Sequence, residues 1–237
     1  MRLALVSLVV AAVAVAGYRV RILPTGLSLL LFAAALAAAA GGVALTAFRL
    51  VRGATSGSPL SMTSLGGLAI GLLILLVPLV TVAGNRRQAR GLPSIHDITT
   101  DTADPPLYID AVRRRVPGEN AVDYAGDALA RQQQAAYPDL RPLVVDEPVE
   151  AVFARALAAV QGLGWEIVGQ DAAAGRIEAT DTTFWFGFKD DVVVRIRPDG
   201  ARTRVDVRSA SRVGLGDVGT NARRIRTLLA TLTSAHR

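Results

Sequence analysis

The sequence predicts a multi-pass α-helical membrane region followed by a C-terminal α+β domain. Of the 237 residues, 51% are hydrophobic, and the mean hydropathy is +0.37. Residues 1–84 contain five charged side chains, all of them arginine, whereas the rest of the chain carries all 20 Asp and Glu residues. From residue 148 onwards, helix-spaced and strand-like patterns alternate with turn signals. We therefore assign the apolar excess to an N-terminal membrane region and the charged remainder to a folded domain.

Three segments predict transmembrane helices, at about 3–23, 26–48 and 65–84. The second and third contain no charge, and each is long enough to cross the ~30 Å hydrocarbon core of a bilayer. The first is shorter and also resembles the core of a signal peptide. We predict an uncleaved span there, because Arg19 and Arg21 can extend to the membrane interface.

A pair of glycines in the third span favours helix packing. Gly67 and Gly71 are four residues apart, so they lie on one face of a helix. Small residues at this spacing let a second helix approach closely in a membrane. The pair therefore predicts a helix contact within the membrane region.

Residues 85–147 predict a Pro-rich, acidic strap or linker. Six prolines interrupt the segment, and it shows no sustained period. Residues 85–188 have a net charge of −5, whereas residues 189–237 have a net charge of +6. We expect the strap to fold over the basic part of the domain and to resist proteolysis at low salt.

Residues 148–237 predict a two-layer α+β domain with two helices and a mainly antiparallel sheet of about four strands. Apolar residues at helical spacing follow Pro148, and a final helix is predicted over about 220–235. The strand signals lie at 165–170, 176–183, 191–197 and 203–209. In the last two strands, aliphatic and mostly charged residues alternate, which predicts one core face and one charged face.

Three motifs carry a resemblance to a known family: IHDITTDT at residues 95–102, FGFKDD at 186–191 and RSASRVG at 208–214. In this order they resemble the bacterial family catalogued as domain of unknown function 1499, over roughly residues 93–232. The three N-terminal membrane helices are additional to that pattern. The resemblance implies no activity, because the family has no established function.

Some stand-alone relatives look like exported lipoproteins, which implies a bacterial inner-membrane protein with a periplasmic domain. The basic residues beside the spans slightly favour the opposite side.

One imidazole and two carboxylates lie within six residues, at His96, Asp97 and Asp101. These groups are acceptable ligands for Zn²⁺, Mn²⁺ or Fe²⁺. Together with Asp190, they would form the centre of a metal-dependent hydrolase. In the competing interpretation, Asp97 and Asp101 are turn and cap residues that bond the local backbone. No residue is assigned as catalytic.

The turn from Arg208 to Asn221 is the strongest candidate binding surface. Its candidate residues are Arg208, Ser209, Ser211, Arg212, Gly214, Gly216, Gly219 and Asn221. The glycines allow close backbone approach, and the following helix offers free N–H groups, so a carboxylate or an anionic lipid head group is the expected ligand. In the alternative, Asp190, Asp191 or Asp101 closes the turn internally. The GLGDVG motif does not predict a dinucleotide site, because no parallel strand follows its helix.

These observations favour a membrane-anchored, non-enzymatic binding or envelope-accessory module of unknown ligand and cofactor. The alternatives are the metal-dependent hydrolase and a structural partner of another membrane protein. The expected partners are the lipid bilayer, anionic lipid and another membrane protein. Nucleic acid is not expected, because five of the six net positive charges lie beside the apolar segments and the remainder of the chain is nearly neutral.

Overall fold

A computed structural model describes residues 1–55, 61–88 and 91–234. The chain divides into two compact units. The first comprises Met1–Arg87 and Trp185–Gly187, and the second comprises Gln88–Phe184 and Phe188–Arg237. Residues 235–237, of which residue 235 is the predicted end of the last helix, lie outside the described part of the chain.

The first unit contains three apolar helices, α1 (Arg2–Arg19), α2 (Thr25–Thr55) and α3 (Met62–Gln88). Each is long and apolar enough to cross a membrane, which confirms the predicted architecture. The buried positions of α1 and α2 are small residues: Ala4, Ser7, Ala11, Ala14, Ser28, Ala35 and Ala39. Small side chains at these positions allow close packing of helices in a membrane.

The glycine pair of α3 lies where neighbouring atoms come close. A Cβ atom on Gly71 would lie 2.6 Å from Cγ2 of Val43 in α2. A Cβ atom on Gly67 would lie 2.6 Å from the backbone nitrogen of Met1. The helix contact predicted from the glycine spacing is therefore present, and neither position has room for a side chain.

The second unit is built on a six-stranded antiparallel sheet. Its strands are β1 (Asp97–Thr99), β2 (Leu143–Val145), β3 (Glu166–Asp171), β4 (Arg176–Thr182), β5 (Lys189–Asp199) and β6 (Arg202–Ser211). The order is β1-β6-β5-β4-β3, and β2 pairs with the same edge of β6 as β1. The helices are α4 (Asp127–Ala136), α5 (Val149–Gly162) and α6 (Thr220–Ser234), with a 3-10 helix at Ala111–Arg114. The predicted α+β fold is confirmed, with six strands instead of about four.

The main core lies between the sheet and the helices α5 and α6. In the sheet, Val194 of β5 pairs with Val207 of β6, and both are buried. Val152 of α5 and Leu228 of α6 are fully buried in the same cluster. Burying an aliphatic side chain of this size stabilises the fold by about 1.5–3 kcal/mol. The alternation in β5 and β6 therefore predicted the core face correctly.

The strap belongs to the domain. Strands β1 and β2 both lie within the segment that was predicted to be a strap or linker, and both extend the sheet at β6. The second compact unit begins at Gln88, so it contains residues 88–147 of this segment together with residues 148–184 and 188–237. The two strands were missed because each has only three residues, which is too short for a strand-like period to show.

Candidate functional site

The sheet face opposite α5 and α6 is charged, as the alternation predicts, but the strap covers it. Glu178 and Asp206 are 0% exposed, and Arg208 is 1% exposed. Such buried charges are costly unless each one is paired and hydrogen-bonded. The partners of these side chains therefore determine what this face can do.

Arg208 of β6 is bound to Asp97 of β1. Its Nε donates to Oδ1 of Asp97 at 2.9 Å, and its Nη2 donates to Oδ2 at 2.7 Å. The guanidinium also donates to the carbonyl oxygens of Pro106 and Val122, at 3.1 and 2.7 Å. Arg208 thus holds β1 and two later residues of the strap, Pro106 and Val122, against β6.

Two tyrosines surround the Arg208 guanidinium. Its carbon lies 4.8 Å from the ring centroid of Tyr108 and 5.5 Å from that of Tyr124. Burial and the negative charge of Asp97 raise the pKa of Tyr124 to about 12. Burial alone would lower the pKa of Arg208, but the hydrogen bonds and charge of Asp97 raise it above its ordinary value. The tyrosines therefore stay neutral beside a permanently charged arginine.

Arg212 makes a second buried ion pair, with Asp191 of β5. Its Nη2 donates to Oδ1 of Asp191 at 2.7 Å, and its Nη1 donates to the carbonyl oxygen of Arg114 at 3.0 Å. Asp191 also accepts from Nε of Arg115 at 2.9 Å. One carboxylate therefore joins the end of β6 to the strap through two arginines.

Both arginines predicted to bind an anion are thus directed inward. Asp191 closes on Arg212, as the internal alternative predicted, and Asp97 closes on Arg208, a partner that the alternative did not include. The two guanidiniums are hydrogen-bonded to carboxylates and strap carbonyls. The geometry favours an internal clamp at these two positions.

The polar residues of the same turn bond to one another. Ser209 Oγ donates to Oδ1 of Asn221 at 2.6 Å, and Nδ2 of Asn221 donates to Ser211 Oγ at 2.9 Å. Arg224 of α6 also donates to Oδ1 of Asn221, and it pairs with Asp190 at 2.7 Å. Burial raises the pKa of Asp190 above its ordinary value, although the charge and hydrogen bonds of Arg224 oppose this shift.

The N-terminus of α6 is capped from within the chain. Asp217 accepts from the backbone N–H groups of Gly219 and Asn221, at 2.9 and 2.5 Å. It therefore stands where an external anion would bind a helix N-terminus. A Cβ atom on Gly216 would lie 2.7 Å from Ser94 Oγ, so this glycine serves packing against the strap. Gly214 and Gly219 have positive φ values, of 93° and 78°.

The three candidate metal ligands are not brought together as a ligand set. Asp97 is bound to Arg208, whereas Asp101 pairs with arginines of β5 and β6: Arg195, Arg197 and Arg204. Asp101 Oδ1 also accepts from the N–H groups of Ala103 and Asp104, as the turn interpretation predicts. Within the described ranges, no group of three or more His, Cys, Asp or Glu residues could hold a metal ion.

His96 and Asp97 do line a cavity of about 480 Å³. Its walls come from the start of β1, the strap and the loop after β6. The lining residues are Ser94, Ile95, His96, Asp97, Asn120, Ala121, Asp123, Ala125, Leu129 and Leu215. This volume is in the range of small-molecule sites, and such sites combine apolar walls with a few polar groups.

Comparison with family models gives one match. The model of the family described as protein of unknown function (DUF1499) matches residues 97–232, which is more than half of the chain. The chain belongs to this family. The match begins inside the predicted strap, so the DUF1499 domain includes β1 and the other strap elements that the structure places on the sheet.

Comparison with curated proteins gives no match. Among solved structures, the di-domain ARO/CYC protein BexL of the BE-7585A biosynthetic pathway is 18% identical, with a TM-score of 0.30, over 40% of this chain and 44% of BexL. TTHA0849 from Thermus thermophilus is 13% identical, with a TM-score of 0.25, over 40% of this chain and 97% of that one. CalU16 from Micromonospora echinospora is 17% identical, with a TM-score of 0.25, over 40% of this chain and 74% of that one. The chain thus spans less than half the length of BexL.

One central residue of the DUF1499 domain was missed by the sequence analysis. Glu178 of β4 accepts backbone N–H groups from Ile109, Asp110 and Ala111, at 2.9, 3.0 and 2.9 Å. These donors lie at the beginning of the 3-10 helix, so Glu178 acts as its cap. One signal could have identified Glu178. It is a carboxylate flanked by Ile177 and Ala179, and it pairs with the apolar Val193 of the neighbouring strand.

Proposed function

We propose that the chain is a membrane-anchored, non-enzymatic binding module whose ligand occupies the cavity beside Asp97. One contrast carries this proposal: the cavity has space for a ligand, whereas the carboxylates that a hydrolase would use are already paired. Asp97 and Asp101, which a hydrolase would need as free ligands or acids, are engaged by arginines. The cavity, which Asp97 lines, has about 480 Å³ of space. Three apolar helices provide the membrane anchor.

The test is native mass spectrometry of the full chain, extracted from its own membranes in a mild detergent. We expect a small-molecule adduct that dissociates on activation of the complex. When the released compound is added back to the purified chain, we expect to recover it chemically unchanged. Conversion of the compound would contradict a binding role and support the hydrolase alternative. Co-purification of a second membrane protein, with no small-molecule adduct, would support the structural-partner alternative.

For location, we propose a bacterial inner membrane with the domain on the periplasmic side. The support is the resemblance of the motifs in residues 95–102, 186–191 and 208–214 to a family with exported relatives. A reporter enzyme that requires export, fused at the C-terminus, is expected to be active in a bacterial host. Activity of a cytoplasm-only reporter at the same position, with none from the exported one, would contradict this location.

A further inference from the structure

The cavity presents hydrogen-bond acceptors that have no partner. Asp123 makes no hydrogen bond or ion pair within the described part of the chain. Asn120 donates through Nδ2 to the carbonyl oxygens of Ser211 and Gly214, which leaves its Oδ1 as an acceptor. The Asp123 side chain is exposed, so its carboxylate is accessible to a ligand.

The charge of the cavity is negative. Its lining contains two carboxylates, Asp97 and Asp123, and no lysine or arginine. Asp97 is neutralised by two hydrogen bonds from Arg208. Asp123 therefore supplies the net charge of the wall, and an anionic ligand would be repelled.

The remaining wall is apolar. Ala121 and Ala125 contribute methyl groups, and Ile95, Leu129 and Leu215 contribute larger aliphatic side chains. Leu215 is 83% exposed, so it stands at the mouth of the cavity. An apolar ligand body of a few carbon atoms would gain about 0.8 kcal/mol for each CH₂ group removed from water, which is about fourfold in affinity.

The geometry points to a ligand that carries a protonated primary amine on a short apolar chain. This inference rests on the proposed function and adds the chemical class of the ligand. An ammonium group is a cation and a donor, which suits the two acceptors of the lining without a partner in the described part of the chain, the Asp123 carboxylate and Asn120 Oδ1. The alkyl chain lies against the leucine and alanine side chains. The same chemistry occurs in free alkylamines and in the ethanolamine head group of a lipid.

The test is isothermal titration calorimetry. Hexylamine is titrated into the full chain, which is held in phosphatidylcholine nanodiscs. Hexylamine is expected to bind more tightly than propylamine, and hexanol and hexanoate are expected to bind at least tenfold more weakly than hexylamine, about the effect of one charge-assisted hydrogen bond. Asp123→Asn is expected to weaken hexylamine binding about tenfold, because it keeps the shape but removes the charge. Its melting temperature should not change, because Asp123 has no partner within the described part of the fold.

The matched control is Glu150→Gln, which removes an exposed carboxylate of α5 that does not line the cavity. It corrects for partitioning of the amine into the nanodisc and should leave hexylamine binding unchanged. A second set of nanodiscs, containing phosphatidylethanolamine, separates the two sources. Weaker apparent binding of hexylamine in these nanodiscs means that the lipid head group competes for the cavity and is its occupant. Unchanged binding of hexylamine identifies a free amine as the occupant.

Equal binding of hexylamine and hexanoate, or equal loss in Asp123→Asn and Glu150→Gln, would overturn the amine assignment. A co-purified ligand without an amine would do the same while leaving the binding-module proposal intact. The proposed function would fail separately if the native chain carried no small molecule or converted it to a product.

Discussion

At the residue scale, two buried arginines determine how the domain is held together. Arg208 is 1% exposed and Asp97 is 4% exposed, and their two hydrogen bonds are bidentate. A pair of this kind need not stabilise the fold relative to apolar residues of the same size. Removal of one member, however, leaves an uncompensated charge in the interior. The pair therefore acts mainly by specifying how β1 and the strap lie on β6.

Replacement of Arg208 by Met should destabilise the domain by about 3–5 kcal/mol, because Asp97 is left buried without a partner. The measurement is chemical unfolding of the full chain, followed by tryptophan fluorescence. The control is the double variant Asp97→Leu with Arg208→Met, which removes both charges and should recover much of the loss. A loss below about 1 kcal/mol in the single variant would indicate that the pair is solvated and the strap loosely held.

Asp190 provides a prediction for pH dependence. Burial raises its pKa above 3.8, so the folded domain holds this proton more tightly than the unfolded chain. Its contribution to stability is therefore greatest at acid pH and falls as pH rises through the folded-state pKa. The melting temperature of the unmodified chain, minus that of Asp190→Asn, should decrease as the pH rises above about 4. An increase over this range would mean that pairing with Arg224 outweighs burial.

The sequence predicted which side chains share a face, but not which partner each charged side chain has. Alternation in β5 and β6 correctly separated Val194 and Val207 from Arg195 and Arg208. The partner of Arg208 lies 111 residues away, and no local pattern reveals such a pair. An arginine on a sheet face has the same sequence signal whether it is solvated or buried in an ion pair. For that reason the turn after β6 was predicted as an anion site.

At the element scale, the strap is held both by apolar side chains in the core, such as Ile98 and Tyr137, and by polar side chains. Glu178 caps the 3-10 helix, and Gln133 of α4 exchanges two hydrogen bonds with the backbone of Thr99 in β1. The net charges predicted that the strap docks, although its arginines also bond to sheet carboxylates, as Arg115 does with Asp191. Docking could be anticipated from charge, but strand pairing could not, because β1 and β2 are too short.

In the membrane region, the contact between α2 and α3 depends on Gly71. Gly71→Val should destabilise the helix pair by about 1–3 kcal/mol, since its Cβ atom would lie 2.6 Å from Val43. Thermal unfolding of the full chain in nanodiscs measures the loss. Gly41→Val is the matched control, because a Cβ atom at Gly41 has no neighbour within 4 Å among the described residues. Equal melting temperatures for the two variants would contradict the close approach of α3 to Val43.

At the scale of the whole molecule, the chain joins a membrane anchor to a DUF1499 domain in which strap and sheet form one folded unit. The anchor and the fold class followed from composition and period, which are properties of whole segments. The cavity could not be predicted in the same way, because its walls come from three separate stretches of chain, around Ile95, Asp123 and Leu215. They meet only after the strap has docked. Integrity of the strap is therefore the condition for the proposed binding role.

The most direct measurement of this claim is amide hydrogen exchange of the full chain in nanodiscs, at residues 109–111. These three N–H groups donate to Glu178 across the junction of strap and sheet. They should exchange as slowly as the amides that pair β5 with β6, because both then require unfolding of the same unit. Exchange at the rate of an unstructured peptide, while the β5 and β6 amides stay protected, would show that the strap is a free linker and would contradict the account.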